Sequence, residues 1–189
     1  TPALTFRGDS SSSSASIGSA YDSEWAAGFY APTSAYASTA LGWGAGSTGS
    51  AGAWSAVELL GTATVGNQAT AQGNGYFVAD FEVTPWTGVV LTASVDAQAS
   101  TTVGLDGNQY EQSQGSGILQ MWIQGVDGYE QHSASRGASA SYTWDGSQYV
   151  PESRSFAGQV SLTYANLSGA TLSGYYYAQT STRAYSTIA

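Results

Sequence analysis

The chain has 189 residues, a net charge of −9, a charged fraction of only 9% and no cysteine. Such a balance excludes a nucleic-acid partner, which demands a basic footprint, and opposes docking on anionic membranes. It also excludes disulfides and thiolate metal sites, so stability must come from packing and sheet hydrogen bonds.

Lysine is absent too. The basic residues are Arg7, Arg136, Arg154 and Arg183, so Schiff-base chemistry is excluded. The length suits one domain, which would bury roughly 70% of its unfolded surface. Ser, Thr, Gln, Asn and Gly must cover that surface, a composition that fits an extracellular protein. No run of about 18 apolar residues occurs, so no membrane-spanning helix is predicted. The start at Thr1 is read as the product of leader removal.

Residues 1–9 read as a strand-like arm, with Pro2, Leu4 and Phe6 on one face. The five serines Ser10 to Ser14 read as a flexible hinge. Residues 15–189 then form the body. Arg7-Gly8-Asp9 spells an integrin-binding tripeptide, but nothing else supports that role and the triplet reads as the polar end of a strand. Between residues 15 and 63, irregularly spaced aromatics sit among Ala, Gly and Ser. Residues 23–27 could support a helical turn. Gly42 to Gly52 reads as a glycine-rich loop, with weaker strands over 54–60 and 62–65.

Gly73-Asn74-Gly75 is a turn signal. After it, Phe77, Ala79, Phe81 and Val83 share one strand face, and Asp80 and Glu82 the other. Thr84-Pro85-Trp86-Thr87 interrupts the strand, and Val89 to Ala99 resumes it, giving either a hairpin or a sheet-switching corner. Further strands follow over 117–125 and 136–144, and Asp145-Gly146 turns the chain toward 148–150. Finally, Val160, Leu162 and Tyr164 alternate with polar residues, Asn166 to Gly169 is a turn, and 172–177 is a strand; the pair reads as a β-hairpin. Turns recurring about every 8–12 residues predict an all-β fold, an antiparallel, jelly-roll-like β-sandwich with an N-terminal strand-like arm.

The passage from Tyr76 through Thr84-Pro85-Trp86-Thr87 to Ala99 resembles bacterial exoproteins that carry a C-terminal Pro-Glu-Pro sorting signal, the exosortase substrates. Residues 135–142 and the Val-Ser-Leu-Thr-Tyr-Ala-Asn-Leu run over 160–167 share that style, so the resemblance spans about residues 76–189. The sorting signal itself is missing after Ala189. The resemblance implies export, a β-rich domain and a place in an extracellular matrix, and implies no catalytic residue.

Sites of chemistry are sparse. His132 is the only histidine, and no Gly-x-Ser-x-Gly elbow accompanies it. Asp80 and Glu82 share a face but read as solvated carboxylates, not a glycosidase pair. Asp106, Asp127 and Asp145 offer turn oxygens that suit calcium, although turn chemistry alone accounts for each. Asn166-Leu167-Ser168 matches a glycan-acceptor triplet, which the turn also explains. No cofactor is expected. The sequence therefore points to a non-enzymatic, secreted structural protein that polymerises head to tail. Its arm (Pro2, Leu4, Phe6) would join the next molecule, with Val160, Leu162 and Tyr164 as the acceptor edge. The alternative is a carbohydrate-binding sandwich, whose partner would be a polysaccharide stacked on exposed tyrosines.

Overall fold

The computed structural model describes residues 3–27, 32–39, 42–50, 57–65, 69–101, 111–125, 128–141, 143–144 and 147–186. Among them every regular element is a strand, and every pairing is antiparallel. The fold is an all-β sandwich.

One layer is a six-stranded sheet. Its members are β1 (Leu4–Ile17), β2 (Ala20–Ala27), β6 (Ala69–Val83), β8 (Glu111–Gly125), β9 (Gly128–Ala140) and β13 (Leu172–Ser186), in the order β2-β1-β6-β13-β8-β9. The second layer holds two smaller sheets. The first is β3 (Thr33–Thr39), β4 (Gly42–Ser50) and β5 (Val57–Val65); the second pairs β7 (Thr87–Ser100) with β12 (Ser153–Asn166). The short strands β10 (Thr143–Trp144) and β11 (Tyr149–Val150) form a separate ribbon. Both smaller sheets cover the same face of the large one. Ala71 packs under the first and Phe81 in the second core, and both are odd-numbered residues of β6.

The two interfaces differ in chemistry. Beneath β7 and β12 lies an aliphatic core that includes Phe81, Val83, Leu119, Met121, Ile123, Val160 and Leu162. Beneath β3 and β4 the side chains are small: Ala15, Ala35, Ala37 and Ala71 with Ile17. There the backbones nearly touch. A Cβ added at Gly44 would lie 2.2 Å from the Gln72 carbonyl oxygen, and one at Gly46 would lie 2.0 Å from that of Asn74.

This tight interface overturns two expectations. The serine tract is not a hinge. It lies inside β1, paired with β2 on one side and β6 on the other. Ser11 and Ser13 are buried, because a hydroxymethyl group fits a gap that a larger side chain would not. The glycine-rich stretch, as far as Ser50, is not a loop either but strand β4, where absent side chains permit the close approach; residues 51 and 52 lie outside the described residues. Residues 23–27 belong to β2 and form no helical turn.

The terminal hairpin is also corrected. β12 and β13 follow each other in sequence but do not pair; β12 joins β7, and β13 joins β6 and β8. The 167–171 connection crosses from one layer to the other. Val160 and Leu162 face the core from one sheet, and Leu172 and Tyr176 face it from the opposite sheet. The break over 84–86 is the sheet-switching corner, since β6 and β7 lie in different layers. Trp86 sits there at φ 58°, the left-handed region that non-glycine residues rarely adopt.

Candidate functional site

The arm from Ala3 to Arg7 closes one end of the aliphatic core. Leu4 lies opposite Val83 and Phe6 opposite Phe81 of β6. Both side chains pack against the core, and the Phe6 ring meets Tyr176 edge-on at 5.8 Å. Thr84 fastens the start of the arm: its N–H donates to the Ala3 carbonyl (3.1 Å), and the Ala3 N–H donates to Thr84 Oγ1 (2.8 Å). Arg7 pairs with Glu82 on the outer face, so the arginine of the Arg-Gly-Asp triplet is engaged within a strand. Pro2 lies outside the described residues.

Two features set this segment apart from the rest of β1. The register shifts between Phe6 and Gly8, a bulge that skips Arg7. Strand β2 pairs only with Ser10 to Ile17. Among the described residues, positions 4–8 therefore have a strand partner on one side only.

Within the chain, the arm pairs with β6 and not with β12, the strand that carries Val160, Leu162 and Tyr164. Val160 and Leu162 are buried in the core, and Tyr164, also on β12, is half-buried against it. Among the described residues β12 has one strand partner, β7, and its other main-chain edge is a separate feature from these inward side chains. The edge of β3, by contrast, is guarded. Glu24 accepts from the Ser34 N–H (2.6 Å), and Asp22 accepts from the Tyr36 N–H (2.8 Å). Carboxylates of β2 thus occupy donors that another strand could otherwise use.

Among the described residues no second layer covers the outer face of the large sheet. Its register aligns Asp80, Tyr175, Trp122 and Gln131 in one row across four strands. Val78, Tyr177, Gln120 and Ser133 form the next. Trp122 and Tyr175 stack at 4.9 Å and 14°, while Tyr76 and Tyr177 meet at 5.9 Å and 38°. These cross-strand pairs tie β6, β13 and β8 together. Asp80 and Glu82 share this face but not a role, because Glu82 is held by Arg7.

Burial foremost, with Tyr76 beside it, pushes the Tyr177 phenol up to about 12. Its hydroxyl donates to Gln179 Oε1 at 2.8 Å. The folded value thus lies above the unfolded value of about 10. This contribution to stability is fully present below pH 10 and is lost as pH rises through 12. Tyr177→Phe is expected to flatten the alkaline decline in that window. Urea unfolding at pH 9 and pH 11 checks it, and an unchanged decline would contradict the assignment.

His132 lies on β9 with its ring edge-on to Tyr164 at 5.8 Å, in a groove of about 670 Å³ that Tyr129, Glu130 and Leu167 also line. Among the described residues its buried Nε2 has no hydrogen-bond partner. Asn166 is fully buried and hydrogen-bonded, which leaves the acceptor amide of the glycan triplet inaccessible in the folded chain. Among the described residues no group of three or more His, Asp or Glu could hold a metal ion. Asp106, Asp127 and Asp145 lie outside those residues.

What the sequence could not reveal was the partner of the arm and the bulge that separates it from the serines. No family model, curated protein or solved structure matches the chain.

Proposed function

We propose that this is a secreted structural protein, an extracellular matrix or filament subunit that assembles head to tail by donating its N-terminal strand to a neighbouring copy. One observation carries the reading. Leu4 and Phe6 plug the end of the core through a segment that, among the described residues, is paired on one side only and is set off by the bulge at Arg7. The core needs an apolar strand at that place, and an identical strand from a neighbour satisfies the same register and the same Thr84 bonds. Main-chain hydrogen bonds would supply affinity, and the alternating side chains would supply register. A head-to-tail arrangement does not close on itself and so yields a fibre. The hinge in this reading is Arg7-Gly8, not the serine tract. The likeness of residues 76–189 to sorted exoproteins supports export and a place in matrix. No catalytic step and no cofactor is assigned.

A cysteine-free chain permits a direct test. Thr5 and Glu82 face each other across β1 and β6, so Thr5→Cys with Glu82→Cys can form one disulfide. Oxidised under assembly conditions, this variant is expected to give a ladder of covalent multimers on a non-reducing gel. A single internally linked monomer band from material that forms fibres would overturn the reading. Deleting residues 1–9 should abolish fibres in electron micrographs and leave a soluble monomer. That monomer should be less stable by roughly 2 kcal/mol or more, from the lost burial of Leu4 and Phe6.

A further inference from the structure

A shallow depression of about 200 Å³ opens on the outer face of the large sheet, beside the arm. The register explains why it exists. Ser173 lies between Glu82 and Gln124, and Gln124 lies opposite Tyr129. Two positions further along β13, Tyr175 stands between Asp80 and Trp122. Ser173 is thus one short side chain surrounded by long ones, and the gap above it and Gly174 is the depression.

We infer that this depression binds one sugar unit of a neutral polysaccharide. The wall groups match that ligand. Tyr129 is 67% exposed and offers a ring for the C–H face of a pyranose. Asp80 and Glu82 accept hydrogen bonds, while Arg7 and Gln124 donate them, an arrangement suited to vicinal hydroxyls. Three of the wall groups, Arg7, Glu82 and Tyr175, are held in place before any ligand arrives. Arg7 is paired with Glu82, and the Tyr175 ring is stacked on Trp122. Other ligand classes fit less well. Two carboxylates oppose a polyanion. A cation would compete with Arg7 for Glu82. An extended peptide would need a free main-chain edge, which the middle of a sheet does not have. Arg7 belongs to the arm, so the site has the same composition whether the arm comes from its own chain or from a neighbour, and it stands independently of assembly.

The test titrates the whole protein with neutral hexaoses of glucose, xylose, mannose and galactose, and with oligogalacturonate as an acidic control, reading tryptophan fluorescence and ligand NMR signals. Saturable binding of at least one neutral hexaose is expected. Tyr129→Ala and Ser173→Phe, which remove the ring and fill the gap respectively, should each weaken it at least about tenfold with an unchanged melting curve. No saturable signal with any neutral hexaose, binding of the acidic control alone, or full retention of binding by either variant would overturn the proposal. None of these results depends on whether the double-cysteine variant forms a ladder.

Discussion

Asn166→Ala is expected to destabilise the fold by roughly 3 kcal/mol, and Asn166→Asp by more. The side chain is fully buried where the chain passes from the small sheet to the large one. Its Nδ2 has two hydrogens, shared among the carbonyls of Val83 (3.1 Å), Thr84 (3.1 Å) and Ala170 (2.8 Å). Its Oδ1 accepts from the Ser168 N–H (3.0 Å) and hydroxyl (2.7 Å). One amide therefore joins the end of β6, the corner before β7 and the crossing turn. Alanine leaves those carbonyls without their donor, at a cost of about 1–3 kcal/mol for each buried group that water cannot reach. Aspartate directs a carboxylate oxygen at the same carbonyls, which favours its protonated form in the folded state. The penalty of Asn166→Asp should therefore shrink as pH falls and the carboxyl protonates. Urea unfolding at pH 4 and pH 8 measures both effects. A loss below about 1 kcal/mol for either variant at pH 8 would show that the crossing is held by other means.

The second large effect is expected at the close approach of β4 to β6. Gly46→Ala should cost more than the usual overpacking range of about 1–3 kcal/mol, and Gly46→Val should prevent folding. The neighbours of the added carbon would be backbone atoms, including the Asn74 oxygen at 2.0 Å. A strand held in a sheet cannot swing aside as a side chain does, so the layers must part. Parting them would open the interface around Ala15, Ala35, Ala37 and Ala71 and lose its dispersion contacts. Gly88→Ala is the control. Its added carbon would meet nothing closer than the Tyr164 carbonyl oxygen at 4.0 Å, so it should fall within about 0.5 kcal/mol of the parent. Circular dichroism and melting curves of the three variants decide the matter; equal stability of Gly46→Ala and Gly88→Ala would refute the tight-layer account.

Alternation was the most legible signal. Phe77, Ala79, Phe81 and Val83 read as one strand face and are all buried. Val160 and Leu162 read the same way and are buried on one face of β12. Where the pattern was weak, composition misled. Ser10 to Ser14 and Gly42 to Ser50 look like linker by residue type, yet both are strands. Small residues have no period of hydrophobicity to announce a buried face. Their burial becomes visible only once the opposing layer is known to lie close.

The arm shows the same division. Leu4 and Phe6 identify an apolar strand, and the structure packs them against the core. Their partner is β6, some 75 residues away in sequence, and no local pattern names it. The outer-face depression was equally hidden, because it requires the register of four strands to surround Ser173 with longer side chains.

The sequence by itself determined the class: strands throughout, with apolar residues assigned to faces by a period of two. It also determined the chemistry available, namely that of a cysteine-free, lysine-free chain with a single histidine. Tertiary structure alone decided which strands are neighbours. It turned the hairpin at 158–185 into a crossing between layers, placed the serine tract in the interior and set the arm against β6. The physical reason is that face preference is a local property of the side chains. Neighbour choice is a sum over many distant backbone pairs and packed layers, in which no single residue is decisive.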